Sequence, residues 1–156
     1  LQVLSLEIQR MPKLFGETFA RPECYPYLSV ATPSTHDMST LRGWWREDEA
    51  LSQQFYNCVL GFDGKAPLEM DGRVARAILA QHLASPSAFA LFAWQDWMAM
   101  DERLRRENPD DERINVPSNR DHCWNYRMHI ALEQLMQERA FNDSVRSMVA
   151  DSGRLL

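Results

Sequence analysis

The order of apolar runs constrains this chain most. Three short stretches have strand character, and segments with helical spacing lie between and after them. The first is Val3 to Ile8, which alternates through Leu4-Ser5-Leu6-Glu7-Ile8. The second is Tyr27 to Thr32, bounded by Pro26 and Pro33. The third is Ala88 to Trp94, whose Phe89-Ala90-Leu91-Phe92-Ala93-Trp94 is almost wholly apolar. A continuous apolar strand is expected where both faces of a parallel sheet are covered. None of the connections between the strands is a two-residue Asn-Gly or Asp-Gly hairpin. Strand–helix alternation of this kind predicts an α/β fold with a helix-rich C-terminal half.

The helical segments announce themselves through caps and periodicity. Ser39-Thr40 precede Leu41-Arg42-Gly43-Trp44-Trp45, and Asp48-Glu49 lead through Phe55 and Val59 to a stop at Gly61. Asp71 to Leu83 carries an apolar stripe through Val74, Ala77 and Ile78. The spacing further predicts helices over Trp97 to Glu107, over Trp124 to Gln137, and from an Asn142-Asp143-Ser144 cap through Val149. Pro109 to His122 is polar and reads as one long surface loop.

Composition removes several functions. Seventeen basic and 22 acidic side chains give a net charge of −5, a mild acidity that argues against a surface built to neutralise phosphates with clustered Lys and Arg. No nucleic-acid partner is expected. No apolar run approaches the length of a membrane span, so no membrane partner is expected either. Three scattered cysteines, Cys24, Cys58 and Cys123, do not make a disulfide framework and point to a reducing, cytosolic compartment. The chain opens on Leu1 and runs straight into a strand, as expected of a processed start or a piece of something longer.

The densest polar group is Ala31-Thr32-Pro33-Ser34-Thr35-His36-Asp37, directly after the second strand. In parallel α/β folds, functional residues sit on loops at the C-terminal ends of strands. An imidazole beside a carboxylate suits a hydroxylated ligand. Thr35, Asp37 and Ser39 are equally competent helix caps, and one residue can do both. Metal binding finds little support, because His122-Cys123 and His36-Asp37 are not joined by ligand spacing. His82 and His129 are read as helical residues near apolar faces, and Cys123 beside His122 lacks the geometry that nucleophile activation demands. No glycine-rich phosphate cradle exists. Of the five tryptophans, Trp45, Trp97 and Trp124 are expected in the core. Trp94, placed at a strand end, is held open as a sugar-stacking residue. Gln95-Asp96 follow it, with helix capping as the plainer role for Asp96.

The run Tyr27-Leu28-Ser29-Val30-Ala31-Thr32-Pro33-Ser34-Thr35-His36-Asp37-Met38-Ser39-Thr40-Leu41-Arg42-Gly43-Trp44-Trp45 resembles a signature segment of the 4-α-glucanotransferases. These are the amylomaltases and disproportionating enzymes of glycoside hydrolase family 77. Gln9-Arg10-Met11-Pro12 resembles the end of the sixth barrel strand in the branch that includes plant cytosolic disproportionating enzyme. Glu112-Arg113-Ile114-Asn115-Val116-Pro117, followed by Trp124-Asn125-Tyr126-Arg127, resembles the family's closing R-x-N-x-P…W-x-W/Y-R signature.

The resemblance implies a (β/α)₈ barrel, which needs roughly 250 residues. Residues 1–156 would then be the C-terminal part of that catalytic barrel, with strands six, seven and eight. It implies retaining chemistry, with an aspartate nucleophile and a glutamate acid/base in a part of the barrel that this chain lacks; Glu7 is not a substitute for either. Asp37 matches the carboxylate that stabilises the transition state, and His36 matches a histidine that binds the same sugar. The substrate class is a maltooligosaccharide or α-glucan, and no cofactor is implied. Cys123 stands where amylomaltases commonly have Asn. The competing expectation is a non-catalytic helical interaction module. A barrel cut before its sixth strand is also expected to self-associate through its raw edges.

Overall fold

Parallel pairing sets the frame. The computed structural model describes residues 3–122, 124 and 126–154. Strands β1 (Ser5–Ile8), β2 (Ser29–Thr32) and β3 (Phe89–Ala90) form one sheet in that order, all parallel. Ser5 pairs with Ser29 and Ile8 with Thr32, while Val30 pairs with Phe89 and Ala31 with Ala90. Because side chains alternate along a strand, this register puts Glu7, Ser29 and Ala31 on one face and Leu6, Val30 and Phe89 on the other.

Between β2 and β3 the chain builds the helical layer. Helix α1 (Leu41–Glu47) starts where Thr40 Oγ1 accepts from the Gly43 amide at 3.3 Å. Helix α2 (Glu49–Gln54) is capped by Asp48, whose Oδ1 accepts from Leu51 N at 2.9 Å. It runs into a π-type turn over Phe55–Val59 and stops at Gly61, at a left-handed φ of 67°. In helix α3 (Gly72–Leu83), Asp71 accepts from Val74 N at 2.8 Å. All three caps are those the sequence signals.

The apolar core lies among these helices. Leu41, Trp45, Phe55, Met70, Val74, Ile78, Leu79 and Met98 are each at most 2% exposed and belong to one cluster. Each aliphatic side chain so buried contributes about 1.5–3 kcal/mol. Phe19, Trp44 and Phe55 meet edge to face, with centroids 4.8–6.3 Å apart. Gly72 lies hard against the Met100 carbonyl, where a Cβ would collide.

Several elements differ from expectation. The third strand is two residues long, not seven, and Phe89 and Leu91 are 54% and 58% exposed. Its apolar run faces open space on one side, and the chain turns at Ala93 into helix α4 (Trp94–Met98). The helix expected over Trp97 to Glu107 ends at Met98. There Asp101 Oδ1 accepts from the amide of Arg103 at 3.0 Å and ties its guanidinium, a local turn that competes with helix.

The helix expected from Trp124 to Gln137 is only α5 (Leu132–Gln137). Upstream, carbonyls and side chains are engaged elsewhere: Arg106 donates to Arg127 O at 2.8 Å, and His129 Nε2 meets Leu104 O at 2.9 Å. His129 is thus exposed and outside any helix, unlike His82, which is buried in α3. The last helix, α6 (Arg139–Asp151), begins before the expected cap. Asn142 donates to Leu135 O instead, and Ser144 receives Arg76. Beyond α6, Arg154 returns to the end of α3 and the turn before β3, donating to the carbonyls of Leu83, Ser85 and Ser87 at 2.6–2.8 Å.

Candidate active site

The loop after β2 carries the polar residues that the sequence singles out. Thr32 Oγ1 donates to Ser34 O at 2.7 Å, and a turn closes from Met38 N to Thr35 O. This lifts His36 and Asp37 to the surface, their side chains 48% and 51% exposed, with His36 Nε2 at 3.1 Å from Asp37 Oδ2.

A second segment docks against this loop. Glu112 is fully buried, accepting from Arg42 and, at 3.2 Å, from Thr40 Oγ1; its backbone carbonyl accepts from Gln95 at 3.0 Å. Burial pushes the Glu112 carboxyl up, while the Arg42 guanidinium opposes that shift. Anchored this way, the following residues reach the loop. The Asn115 amide N–H donates to His36 O at 3.1 Å, and Asn115 Nδ2 donates to Asp37 Oδ1 at 2.7 Å.

Trp124 completes the group. It sits at a φ of 52°, its N–H bonded to Ile114 O at 3.0 Å, and its ring lies 4.6 Å from that of His36 at a 37° tilt. A bulky residue in the left-handed region is uncommon, and such outliers cluster at working sites. Trp124 is 60% exposed, which overturns its assignment to the core; Trp45 and Trp97 are core residues as expected.

The structure therefore brings His36 and Asp37 together and adds Asn115 and Trp124. Trp94 is not a strand end: it opens α4, and its ring meets Phe141 edge-on at 6.1 Å. Asn115 and Trp124 were visible as members of the R-x-N-x-P and W-x-W/Y-R motifs, but nothing in their spacing assigned them a role. Cys123 and Asn125 fall outside the described residues. Glu7 is buried and paired with Lys13 at 2.6 Å.

Chemically, Asp37 offers a carboxylate whose two oxygens are each oriented from one side, with lone pairs left for hydroxyl donors. The neighbouring indole offers a flat apolar face of the kind on which sugar rings stack. A parallel α/β protein with its polar side chains on the loop following a strand is the class these features define.

Comparison with known proteins carries this to a family. The family model described as 4-alpha-glucanotransferase, glycoside hydrolase family 77, matches residues 1–133. The chain is 37% identical over 154 residues to 4-alpha-glucanotransferase DPE2 of Oryza sativa subsp. japonica, an alignment covering 99% of this chain and 16% of the relative. It is 30% identical over 125 residues to a 4-alpha-glucanotransferase of Chlamydia trachomatis serovar D, covering 80% of this chain and 23% of that one. Among solved structures it is similar to an amylomaltase from Streptococcus agalactiae in complex with acarbose, with a TM-score of 0.69 and 18% identity over 98% of this chain and 28% of that chain. The chain belongs to the 4-alpha-glucanotransferase family. It spans less than a quarter of the length of these curated relatives.

Proposed function

We propose that this chain is the C-terminal part of the (β/α)₈ catalytic barrel of a 4-α-glucanotransferase, with β1, β2 and β3 as its sixth, seventh and eighth strands. The whole protein would transfer α-1,4-glucan segments between maltooligosaccharides or glucans by a retaining double displacement. Its nucleophile and acid/base would come from outside residues 1–156. Asp37 is the transition-state stabiliser: as positive charge grows on the sugar ring, its hydroxyls bind the carboxylate more tightly than in the ground state. His36 binds the same sugar, and the Trp124 ring beside it extends the contact surface. The observation that carries this reading is the Asp37 carboxylate, half-exposed on the loop following β2 and aimed by Asn115.

Two further features support it. Leu6, Val30 and Phe89 lie side by side on a sheet face, with Leu6 and Phe89 about half exposed, as expected of strands that line a barrel whose remainder lies elsewhere. Cys24 and Cys58 are free and exposed, in keeping with a reducing, cytosolic setting.

The test is disproportionation of maltooligosaccharides by the full-length protein. Asp37→Asn is expected to lower kcat by about 10²–10³-fold, the scale of losing one preorganised electrostatic contact, with an unchanged melting temperature. Turnover equal to the unsubstituted protein would refute the role given to Asp37.

A further inference from the structure

A part-buried arginine and a buried aspartate outside the ligand-facing group meet the Asp37 loop at its base. Arg10 comes from the segment after β1. Its Nε donates to Pro33 O at 3.1 Å, its Nη1 reaches Thr40 O at 3.5 Å, and its Nη2 donates to Ser39 O. Asp96 comes from the first turn of α4, just past β3, and is fully buried. Its Oδ2 accepts from Ser34 Oγ, and its Oδ1 accepts from Leu41 N at 3.0 Å.

Each residue therefore grips both ends of the loop at once: Arg10 at positions 33 and 39–40, Asp96 at positions 34 and 41. The two grips come from opposite neighbours of β2 and carry opposite charge. Trp44 seats the Arg10 guanidinium from below, 5.6 Å from its ring centroid. The Leu41 amide and the carbonyls of Pro33 and Ser39 thereby find side-chain partners at a strand–helix junction, while Thr40 O, already bonded to Trp44 N at 2.9 Å, takes Arg10 as a second donor. A loop closed at its base by two rigid side chains has little freedom left at its tip, where Asp37 sits.

Building on the role proposed for Asp37, we propose that Arg10 and Asp96 are a pair of positioning residues that clamp the Pro33–Leu41 loop and hold the Asp37 carboxylate in its productive place. Neither touches the sugar. They act by keeping a third residue within the few tenths of an ångström that transition-state contacts require.

The experiment uses the full-length protein with a maltooligosaccharide donor and compares Ser34→Ala, Arg10→Lys, Asp96→Asn and Asp96→Ala. Ser34→Ala removes one hydroxyl from the clamp, and Arg10→Lys keeps the charge but cannot span three carbonyls. Each is expected to lower kcat by about 10-fold or more, with KM within about threefold and the melting curve nearly unmoved. Asp96→Asn keeps an oxygen for Leu41 N and a polar group for Ser34, so it should recover most of what Asp96→Ala loses. In an Asp37→Asn background, Ser34→Ala should add less than about a twofold further loss, since the clamp acts through Asp37. Unchanged kcat in the folded Ser34→Ala and Arg10→Lys proteins would overturn the clamp, as would a full multiplicative loss in the Asp37→Asn background. If Asp37→Asn itself turned over normally, the reading of the site would fall and the clamp with it. A deficient Asp37→Asn beside normal clamp variants would sink the clamp alone.

Discussion

The two faces of the small sheet are composed the wrong way round for a free-standing domain. The face carrying Glu7, Ser29 and Ala31 is polar or small, yet these residues are at most 8% exposed. On the same side Gln9 donates to Gln81 of α3 at 2.8 Å, and Ser29 to Ser87 at 2.7 Å. The face carrying Leu6, Val30 and Phe89 is apolar and largely bare, with Leu6 and Phe89 47% and 54% exposed. A sheet normally turns its apolar face to its cover. Here the helices find an apolar surface in one another, and among the described residues the apolar face of the sheet is left largely uncovered. The apolar burial of the chain and the apolar face of its sheet thus lie in different places.

The largest expected effect of that contrast concerns assembly. At micromolar concentration the isolated chain should sediment as a dimer or larger species rather than at its 18.2 kDa monomer mass. Leu6→Lys combined with Phe89→Lys should restore the monomer. A clean monomer without the substitutions would mean that the bare face is not adhesive. Next in size is Leu79→Ala in α3, a fully buried position, which should cost about 2–5 kcal/mol in urea unfolding. Leu91→Ala, a residue 58% exposed beyond β3, should cost less than about 0.5 kcal/mol in the same assay. Equal costs would abolish the distinction.

Acid should strike the covered side. Burial lowers the His82 imidazole from 6.5 to about 4, although its Nδ1 meets Ile78 O at 2.8 Å. Between those values the unfolded chain binds the proton more readily than the folded one. The contribution of His82 is therefore intact above about pH 6.5 and is lost as pH falls toward 4, by up to about 3 kcal/mol. Asp96 and Glu112, raised by burial, work with the opposite sign. The difference between the unsubstituted protein and His82→Gln across pH 4–7 isolates the histidine. Parallel stability profiles would refute the assignment.

Much of this was legible from local chemistry. Thr40, Asp48 and Asp71 announce their helices because an N-cap is a contact between near neighbours in sequence, as is the stop at Gly61. His36 and Asp37 stand out as a polar cluster after a parallel strand, but helix capping is an equally good use of such a cluster, and only the family motif points to a role for them. Contacts across distance were not legible. Trp124 reads as a core helix residue until Ile114 and His36 claim it, and Asn115 lies 78 residues from the carboxylate it aims. In the sequence Arg10 is one member of a strand-end motif and Asp96 a candidate helix cap, and only the fold shows that both meet the same loop. The apolar run from Ala88 to Trp94 misled for a related reason. Hydrophobicity says that a strand is meant to be covered, not that the cover belongs to the same described residues.

The grip of Arg154 has a bearing on how the chain reaches its shape. Its three hydrogen bonds join positions separated by 67 to 71 residues. Closing a loop of that length costs conformational entropy before any bond is made, and contacts of high sequence separation slow folding. Helices α1 to α3 and β3 are emitted earlier in the chain and can organise first around Leu79 and Phe55. The bonds from Arg154 are then long-range additions to a turn that Ser85 Oγ, donating to His82 O at 2.7 Å, and Ser87, bonded to Ser29 at 2.7 Å, already hold.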